Sequence, residues 1–180
     1  DVTAGLRYIR EHSEITNVLL TGGDPLLLST RRLRAILSSL RDIPHVQIIR
    51  IGSKIPAFDP FRILHDPALL ETFSAYSTAS RRIYLMAHFD HPRELTDPAI
   101  RALDALIRCG VICVNQCPLI RGINDSTPVL TELFRRLSWI GCPQYYVFQC
   151  RPTIGTAHFA IPIVRAIELM ETARQCVSGL

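Results

Sequence analysis

The 180-residue sequence lacks the signals that mark several large classes of protein. No apolar run approaches the roughly 20 residues of a membrane-spanning helix, and no secretory signal is visible. The sequence contains neither the G-x-G-x-x-G pattern of a dinucleotide site nor the G-K-[ST] of a phosphate-binding loop. Aromatic residues make up only 7% and are not interleaved with a basic cluster, so the net charge of +4 does not indicate nucleic-acid binding. We expect a protein that binds neither a membrane nor a nucleic acid.

Six cysteines are present, but their spacing favours neither disulfides nor a metal centre. Cys109, Cys113 and Cys117 have C-x3-C-x3-C spacing. The first lies near a predicted helix end and the other two along one extended segment, whereas metal ligands must converge on one point. We expect all six to be reduced, mostly buried thiols in a cytoplasmic protein. Cys117 and Cys150, near strand ends, are placed to line a pocket.

The composition, 48% hydrophobic and 20% charged, is that of an ordinary globular domain. No repeat, low-complexity tract or linker divides the chain, so we expect one domain over residues 1–180. The sequence begins inside an apparent helix at 2–12, which suggests a piece of a longer protein.

Apolar runs alternate with amphipathic segments along the whole chain. The runs begin about 30 residues apart, which is the spacing of βαβ units and implies a parallel sheet. They start near Asn17, Val46, Ile83, Val111 and Gln144.

The segments between these runs carry helix start and stop signals. Ser29 and Thr30 precede apolar residues at i, i+3, i+4 and i+7. Asp97 is predicted to be the N-cap of another helix with Pro98 in its first turn, and Gly110 to end that helix. Further helices are predicted from Asp66 through Phe73, from Ser126, and over 164–174, and 74–80 is predicted to be a loop.

Two architectures fit five such units: a partial (β/α) barrel and an open doubly wound sheet. In both, ligands bind beyond the carboxyl ends of the strands. The polar residues at the strand ends are therefore the candidate site in either case.

The first strand end is Gly22-Gly23-Asp24. Glycines allow a ligand close to the backbone, and an aspartate can accept a hydrogen bond from an ammonium group. A turn that leads into a helix uses the same residues about as often.

The second strand carries Arg50 between isoleucines, with Ser53 and Lys54 at the rim. A charge on a buried strand needs a partner. A structural ion pair and an anionic ligand fit this arginine equally well.

The later strand ends are also polar. His88 and His91 flank Asp90, an arrangement that suits a metal or a proton relay, although a single histidine there is often only a hydrogen-bonded core residue. The amides of Asn115 and Gln116 could read a base or ribose edge. Arg151 offers a bidentate fork for a carboxylate or phosphate, unless it is simply solvated.

These motifs, in this order, resemble the lysine 2,3-aminomutase family of radical S-adenosylmethionine enzymes along almost the whole chain. The matching strings lie at 19–26 (Leu-Leu-Thr-Gly-Gly-Asp-Pro-Leu), 43–46, 49–53, 88–92, 115–116, 121–125 and 145–150, and at His158-Phe159 with Pro162.

The resemblance implies an α/β fold, a partial TIM-type (β/α) barrel of which about five units are present. It implies a [4Fe–4S] cluster that binds S-adenosylmethionine and cleaves it reductively to a 5′-deoxyadenosyl radical. The radical abstracts a substrate hydrogen, and the amino group, held on pyridoxal phosphate, migrates to the adjacent carbon. Such an enzyme takes a small amino acid as substrate and electrons from a donor such as flavodoxin or ferredoxin, and is compatible with a homo-oligomer.

The resemblance also assigns roles to residues of this chain. Gly22, Gly23 and Asp24 would hold the methionine amino end of S-adenosylmethionine, and His88 and Gln116 would contact its adenosine part. Arg50 and Ser53 would lie on the same face, and Arg151 would meet the distal group of the substrate.

The chain departs from the family pattern in three respects. The cluster loop, C-x3-C-x2-C, is absent and belongs upstream of Asp1. The lysine that anchors pyridoxal phosphate lies downstream of Leu180 in the family, so the chain alone should be inactive. Lysine-handling members carry an aspartate where this chain has Arg151, which favours a substrate with a side-chain carboxylate, such as glutamate.

Three alternatives remain. The protein could be a radical S-adenosylmethionine enzyme without pyridoxal phosphate, a non-catalytic binding or scaffold relative, or a metal hydrolase built around His88 and His91.

Overall fold

A computed structural model describes residues 2–150 and 153–178 and contains a five-stranded, all-parallel sheet. The strands pair in chain order, β1-β2-β3-β4-β5, so β1 and β5 are the two edges. The strand bounds are β1 Asn17–Leu20, β2 Ile48–Ser53, β3 Ile83–Ala87, β4 Ile112–Leu119 and β5 Gln144–Gln149.

Helices connect each strand to the next. They are α1 Val2–Glu11, α2 Thr30–Arg41, α3 Ile55–Phe58, α4 Phe61–Leu64, α5 Pro67–Tyr76, α6 Asp97–Arg108, α7 Thr127–Trp139 and α8 Ile163–Gln175, with 3-10 turns at Pro25–Leu27, Pro92–Glu94 and Ala157–Phe159. The predicted alternation of strands and helices is confirmed. No helix in the described parts of the chain is long and apolar enough to cross a membrane.

The strand order distinguishes the two predicted architectures. A doubly wound sheet reverses its strand order at a switch point and carries helices on both faces, whereas here the order runs from β1 to β5 without reversal. Because parallel crossovers are right-handed, such an order places the connecting helices on one face of the sheet. Helix contacts agree, since α2 packs on α5, α5 on α6 and α7 on α8. The sheet is therefore a singly wound βα array, as in part of a barrel, with two open edges.

Alternate residues of the strands face opposite sides of this sheet. Ile49 and Ile51 of β2 and Cys113 of β4 are buried on the helix side. Arg50 and Met86 point to the other side, where they line an open groove. One face therefore forms the core, and the other is available to a ligand or to more protein.

Several predicted boundaries were wrong by a few residues. The predicted strand start at Val46 falls in a turn, because the Val46 N–H bonds Ile43 and its carbonyl accepts from the Arg81 guanidinium. The cap before α6 is Thr96, whose hydroxyl accepts from the N–H of Ala99, and Asp97 is the first helical residue.

Two elements are longer than predicted. Helix α5 continues to Tyr76, so the loop predicted at 74–80 begins later. Strand β4 continues past Gln116 to Leu119 and includes Pro118. Pairing of β4 with β3 ends at Asn115, so the missing N–H of Pro118 breaks no hydrogen bond to that strand.

Candidate active site

The carboxyl ends of the strands carry an open groove lined by several of the predicted residues. Gly52 and Gln116 lie there with Arg50. The remaining walls are mostly apolar and aromatic, from Leu19, Met86, Tyr146 and Phe148, with Thr21 as a further polar residue. A register shift between β4 and β5 helps to build this wall, because it brings two successive residues, Tyr145 and Tyr146, to the open face.

The two glycines after β1 leave space at the strand end. Gly22 has φ +121°, a conformation that other residues rarely adopt. A Cβ built on either Gly22 or Gly23 would meet no protein atom within 4 Å. Protein packing therefore does not require a glycine at position 23, and the space beside it is free for a ligand.

Asp24 is tied to the end of the neighbouring strand. Its carboxylate accepts from the Leu26 N–H at 3.0 Å, from the Ser53 hydroxyl at 2.8 and 3.0 Å, and from the Lys54 N–H at 2.8 Å. Asp24 thus caps the 3-10 turn that follows it and joins β1 to β2. An ammonium group would have to share a carboxylate that is already well bonded.

Ser53 serves this arrangement from the buried side of β2. Its hydroxyl donates to Asp24 and accepts from the Ile55 N–H at 3.0 Å, and only 4% of the residue is exposed. The predicted rim position is therefore wrong for Ser53. Contact of Ser53 with a cofactor stays a prediction. In the structure its hydroxyl donates a hydrogen bond to the Asp24 carboxylate and holds it in place.

Arg50 lies in the middle of β2 on the open face. Its Nε donates to Asn17 Oδ1 at 3.0 Å. Among the described residues no carboxylate forms an ion pair with it. The sequence left a structural ion pair and an anionic ligand as alternatives for Arg50. The described residues provide no such ion pair, so they favour the anionic ligand.

Beyond β3, charged groups gather around Lys54. Its Nζ lies 2.9 Å from Asp90 Oδ2 and 2.9 Å from Glu94 Oε1, and donates to the His88 carbonyl at 3.2 Å. Burial opposes the charge on Lys54, but the two carboxylates outweigh it and raise the pKa of the amine above its ordinary value. Burial likewise opposes the charge on Asp90, but His88 and Lys54 outweigh it and lower the pKa of that carboxyl.

Two buried asparagines hold the backbone of the same loop. Asn115 accepts from the Phe89 N–H at 2.8 Å and donates to the Phe89 carbonyl at 3.0 Å. Asn124 donates to the carbonyl of Asp90 at 3.0 Å. The amide of Asn115 is fully buried, so its predicted role in reading a ligand is wrong. Gln116 makes no side-chain hydrogen bond to any residue in the described ranges and stays available.

His91 has a structural task. Its Nδ1 accepts from the Arg93 N–H at 3.1 Å, and the side chain of Glu94 accepts from the His91 N–H, so His91 caps the short turn at Pro92–Glu94. No group of three His, Cys, Asp or Glu side chains within 2–150 and 153–178 could hold a metal ion. This part of the chain therefore offers no support for the metal hydrolase.

The cysteines agree with the sequence prediction in part. None forms a disulfide, and Cys113, Cys117 and Cys142 are buried, whereas Cys176 is exposed. Burial raises the pKa of the Cys113 and Cys117 thiols to about 12. Cys117 lies in the core on the helix side, so the expectation that it lines a pocket was wrong.

Comparison with known proteins identifies relatives over the whole chain. No protein-family model matches. The chain is 53% identical over 100% of its length to a protein of Aquifex aeolicus named provisionally as an L-lysine 2,3-aminomutase, of which it covers 48%. It is 39% identical over 99% of its length to the L-lysine 2,3-aminomutase of Clostridium subterminale, covering 41% of that protein. Over nearly its whole length, the chain is similar to proteins of the lysine 2,3-aminomutase family.

The family also includes a relative named for a different amino acid. The chain is 36% identical over 99% of its length to the glutamate 2,3-aminomutase of Clostridioides difficile, covering 41% of that protein. The chain thus spans about half the length, or less, of these relatives. Arg151, the residue on which the predicted substrate preference depends, lies outside the described residues.

Two features of the present chain fit the binding of S-adenosylmethionine. The space beside Gly23 admits a ligand close to the backbone, and Gln116 offers an amide with no protein partner in the described chain. The described residues do not fit the iron–sulfur cluster, because no three ligands converge.

Lys54 does not fit the anchoring of pyridoxal phosphate. It is the only lysine of the chain, and its ammonium is bound by two carboxylates. A cationic amine is not a nucleophile.

Sequence reasoning missed three residues that shape this site. The sequence pattern places Lys54 only at the rim, assigns no role to Glu94, and contains Asn124 only within the matching string at 121–125. The signal for Glu94 was present, since an acidic residue three positions after His91 is the pattern of a capping box. The partners of Lys54, and the Asp90 carbonyl to which Asn124 donates, belong to another βα unit and leave no local pattern.

Proposed function

We propose that this chain forms the S-adenosylmethionine-binding part of a radical aminomutase, an isomerase that moves an amino group to the adjacent carbon. The observation that carries the proposal is the arrangement of the matched residues. Gly52, Gln116 and Arg50 line one groove on the open face of the sheet; the Gln116 amide has no hydrogen-bond partner in the described chain, and Arg50 donates from Nε to Asn17. The names of the relatives support the same reaction class.

Each residue then has a specific task. The space at Gly22 and Gly23 admits the amino end of the cofactor, with Asp24 held beside it by Ser53. Gln116 and His88 contact the adenosine part. When bound next to a reduced iron–sulfur cluster, S-adenosylmethionine supplies the 5′-deoxyadenosyl radical.

We further propose an acidic amino acid, such as glutamate, as the substrate. Arg151 replaces an aspartate of lysine-handling members. A reversed charge in a poorly solvated pocket disfavours an ammonium side chain and attracts a carboxylate. A relative named glutamate 2,3-aminomutase supports this proposal.

The remaining parts of the proposal concern the whole protein. Residues outside this chain would hold an iron–sulfur cluster and pyridoxal phosphate, which would carry the migrating amino group; a donor such as flavodoxin or ferredoxin would supply the electron, and the protein would work in the cytoplasm. An enzyme of the same superfamily without pyridoxal phosphate is the second candidate, and a Gly-rich segment with a lysine downstream in the full-length protein would distinguish the first candidate from it.

The test uses the full-length protein, reconstituted anaerobically with iron and sulfide. We expect the absorbance of a [4Fe–4S] cluster, release of 5′-deoxyadenosine that depends on S-adenosylmethionine, and turnover of glutamate in preference to lysine. Protein that binds zinc and no cluster would contradict the main proposal.

Substrate preference is tested separately with Arg151→Asp, and Arg93→Asp serves as a control charge reversal elsewhere in the chain. The first change should shift the preference toward lysine and the second should not. Equal turnover of both amino acids by the unmodified enzyme, or an unchanged preference in Arg151→Asp, would overturn the acidic substrate.

A further inference from the structure

The two ring nitrogens of His88 lie in different surroundings. Nε2 is covered by protein and lies 2.9 Å from Asp90 Oδ1. Nδ1 forms no hydrogen bond to any described residue and is not among the covered polar atoms. About 30% of the side chain is exposed. The ring therefore presents Nδ1, rather than Nε2, to a ligand.

The short distance indicates where the ring carries its hydrogen. Nε2 and Oδ1 are both covered, are not aligned for an ideal hydrogen bond, and have no other hydrogen-bond partner in the described chain. Two lone pairs 2.9 Å apart would repel each other. The approach is favourable only if Nε2 carries a hydrogen, since the ionised carboxylate can only accept.

The carboxylate of Asp90 is itself held in place. Its second oxygen accepts from Lys54 Nζ, and the same ammonium donates to the His88 carbonyl and pairs with Glu94. Three acceptors thus use the three hydrogens of one ammonium. The main-chain N–H of Asp90 donates to Glu94, and its carbonyl accepts from Asn124. The main-chain bonds fix the backbone of Asp90, and the carboxylate cannot turn without breaking its contact with Lys54 and moving Oδ1 away from His88.

We propose that Asp90 and Lys54 are positioning residues for His88, which keep the hydrogen on Nε2 and leave Nδ1 as a bare acceptor for an N–H or O–H group of the bound adenosine. The identity of the ligand rests on the proposed function, whereas the placement of the hydrogen does not. A ligand that offers an acceptor at this point would face an unpaired nitrogen lone pair and be disfavoured.

The first experiment needs no ligand. Imidazole ¹⁵N spectra of the full-length protein are recorded at about pH 8.5, roughly two units above the ordinary imidazole pKa, and the His88 signals are assigned by their loss in His88→Gln. We expect a protonated Nε2 whose hydrogen exchanges slowly with water. A hydrogen on Nδ1 in the unmodified protein would overturn the proposal without any variant.

Variants then test the cause. Asp90→Asn should speed the exchange of the Nε2 hydrogen and mix the two ring tautomers, and Lys54→Met should do so to a smaller extent. Asp104→Asn makes the same change in an exposed helical ion pair with Arg108 and should leave the His88 signals unchanged. Unchanged His88 signals in a folded Asp90→Asn protein would contradict the positioning role.

The second experiment adds S-adenosylmethionine to the reconstituted full-length protein. The ¹⁵N signal of Nδ1 should move as it accepts a hydrogen bond, and Asp90→Asn should weaken binding about tenfold, the value of one good hydrogen bond. Binding that leaves Nδ1 unmoved would overturn the inference while leaving the proposed function intact. Failure of the unmodified protein to bind would overturn the proposed function and the cofactor half of this inference.

Discussion

Neighbouring side chains at the carboxyl edge of the sheet have opposite fates. Asn115 faces the helices, and its amide hydrogen-bonds the main chain of Phe89. Gln116 faces the open groove, and its amide has no hydrogen-bond partner among the described residues. The alternation of a strand separates a residue that builds the site from one that can bind a ligand.

This contrast predicts different costs for two adjacent substitutions. Asn115→Ala leaves a buried N–H and a buried carbonyl of Phe89 without partners, so it should lower the free energy of unfolding by about 2–4 kcal/mol. Gln116→Ala should change it by less than about 0.5 kcal/mol and weaken binding of S-adenosylmethionine instead. Denaturant unfolding and calorimetric titration measure the two effects. Equal stability losses would show that Gln116 is also structural.

The shifted pKa of Asp90 predicts a dependence of stability on pH. Because the folded-state pKa is below the ordinary value of 3.8, the stabilisation is present above that value and disappears as the pH falls through the folded-state pKa. The stability difference between the unmodified protein and Asp90→Asn should be constant above about pH 5 and shrink in stronger acid.

The amine of Lys54 stabilises the fold in a different pH range, which extends through acid and neutral pH and ends in alkali. Its pKa is raised above 10.5, so its stabilisation is complete below that pH and disappears only as the pH rises through the higher folded-state value. The Asp90 prediction is checked by urea unfolding of the unmodified protein and of Asp90→Asn across the acid range. A difference in unfolding free energy between them that stays constant down to about pH 2 would refute it.

Strands and helices were largely predictable because each carries a local signal. The apolar runs located all five strands, and Ser29 and Asp66 marked helix starts that the structure confirms. The errors lie where distant residues decide. Val46 lies before the start of β2, and its carbonyl accepts a hydrogen bond from Arg81. Strand β4 is longer than predicted because β5 pairs with it as far as Leu119.

The same division applies to the candidate site. Position at a strand end predicted that Arg50 and Gln116 would share a face, as they do. It could not predict that the side chains of Ser53 and Asn115 form hydrogen bonds within the protein, because their partners lie about one βα unit away along the chain.

The loop after β1 gives a paired test of its two glycines. Gly22→Ala places a side chain at φ +121° and should cost about 1–3 kcal/mol of stability through backbone strain. Gly23→Ala meets no protein atom, so its stability should be nearly unchanged while its methyl group weakens binding of S-adenosylmethionine. Thermal unfolding and titration of both variants separate strain from occlusion. A stable Gly22→Ala protein would contradict the strained conformation.

Within residues 2–150 and 153–178, two sheet edges and one sheet face are exposed. Leu19 on β1 and Phe148 on β5 are 43% and 40% exposed. Unpaired edges with apolar side chains invite pairing with other chains.

We therefore expect the 180-residue chain by itself to self-associate as its concentration rises. Phe148→Lys should reduce this association, since a charge on an edge strand opposes edge-to-edge pairing. Trp139→Lys replaces a more exposed aromatic residue on helix α7 and should have a smaller effect. Sedimentation velocity over a concentration series makes the comparison. A larger effect of Trp139→Lys would locate the contact away from the sheet.

The solitary lysine has a practical consequence for chemical probing. The chain has 20 basic residues, yet only Lys54 carries an ε-amino group, and that group is engaged by Asp90, Glu94 and a carbonyl. Acylating reagents and lysine-directed proteases thus meet a single side-chain target within these 180 residues. Its ion pairs favour the charged amine, which is not a nucleophile, so the rate of acylation at Lys54 should report how often the ion-pair cluster opens.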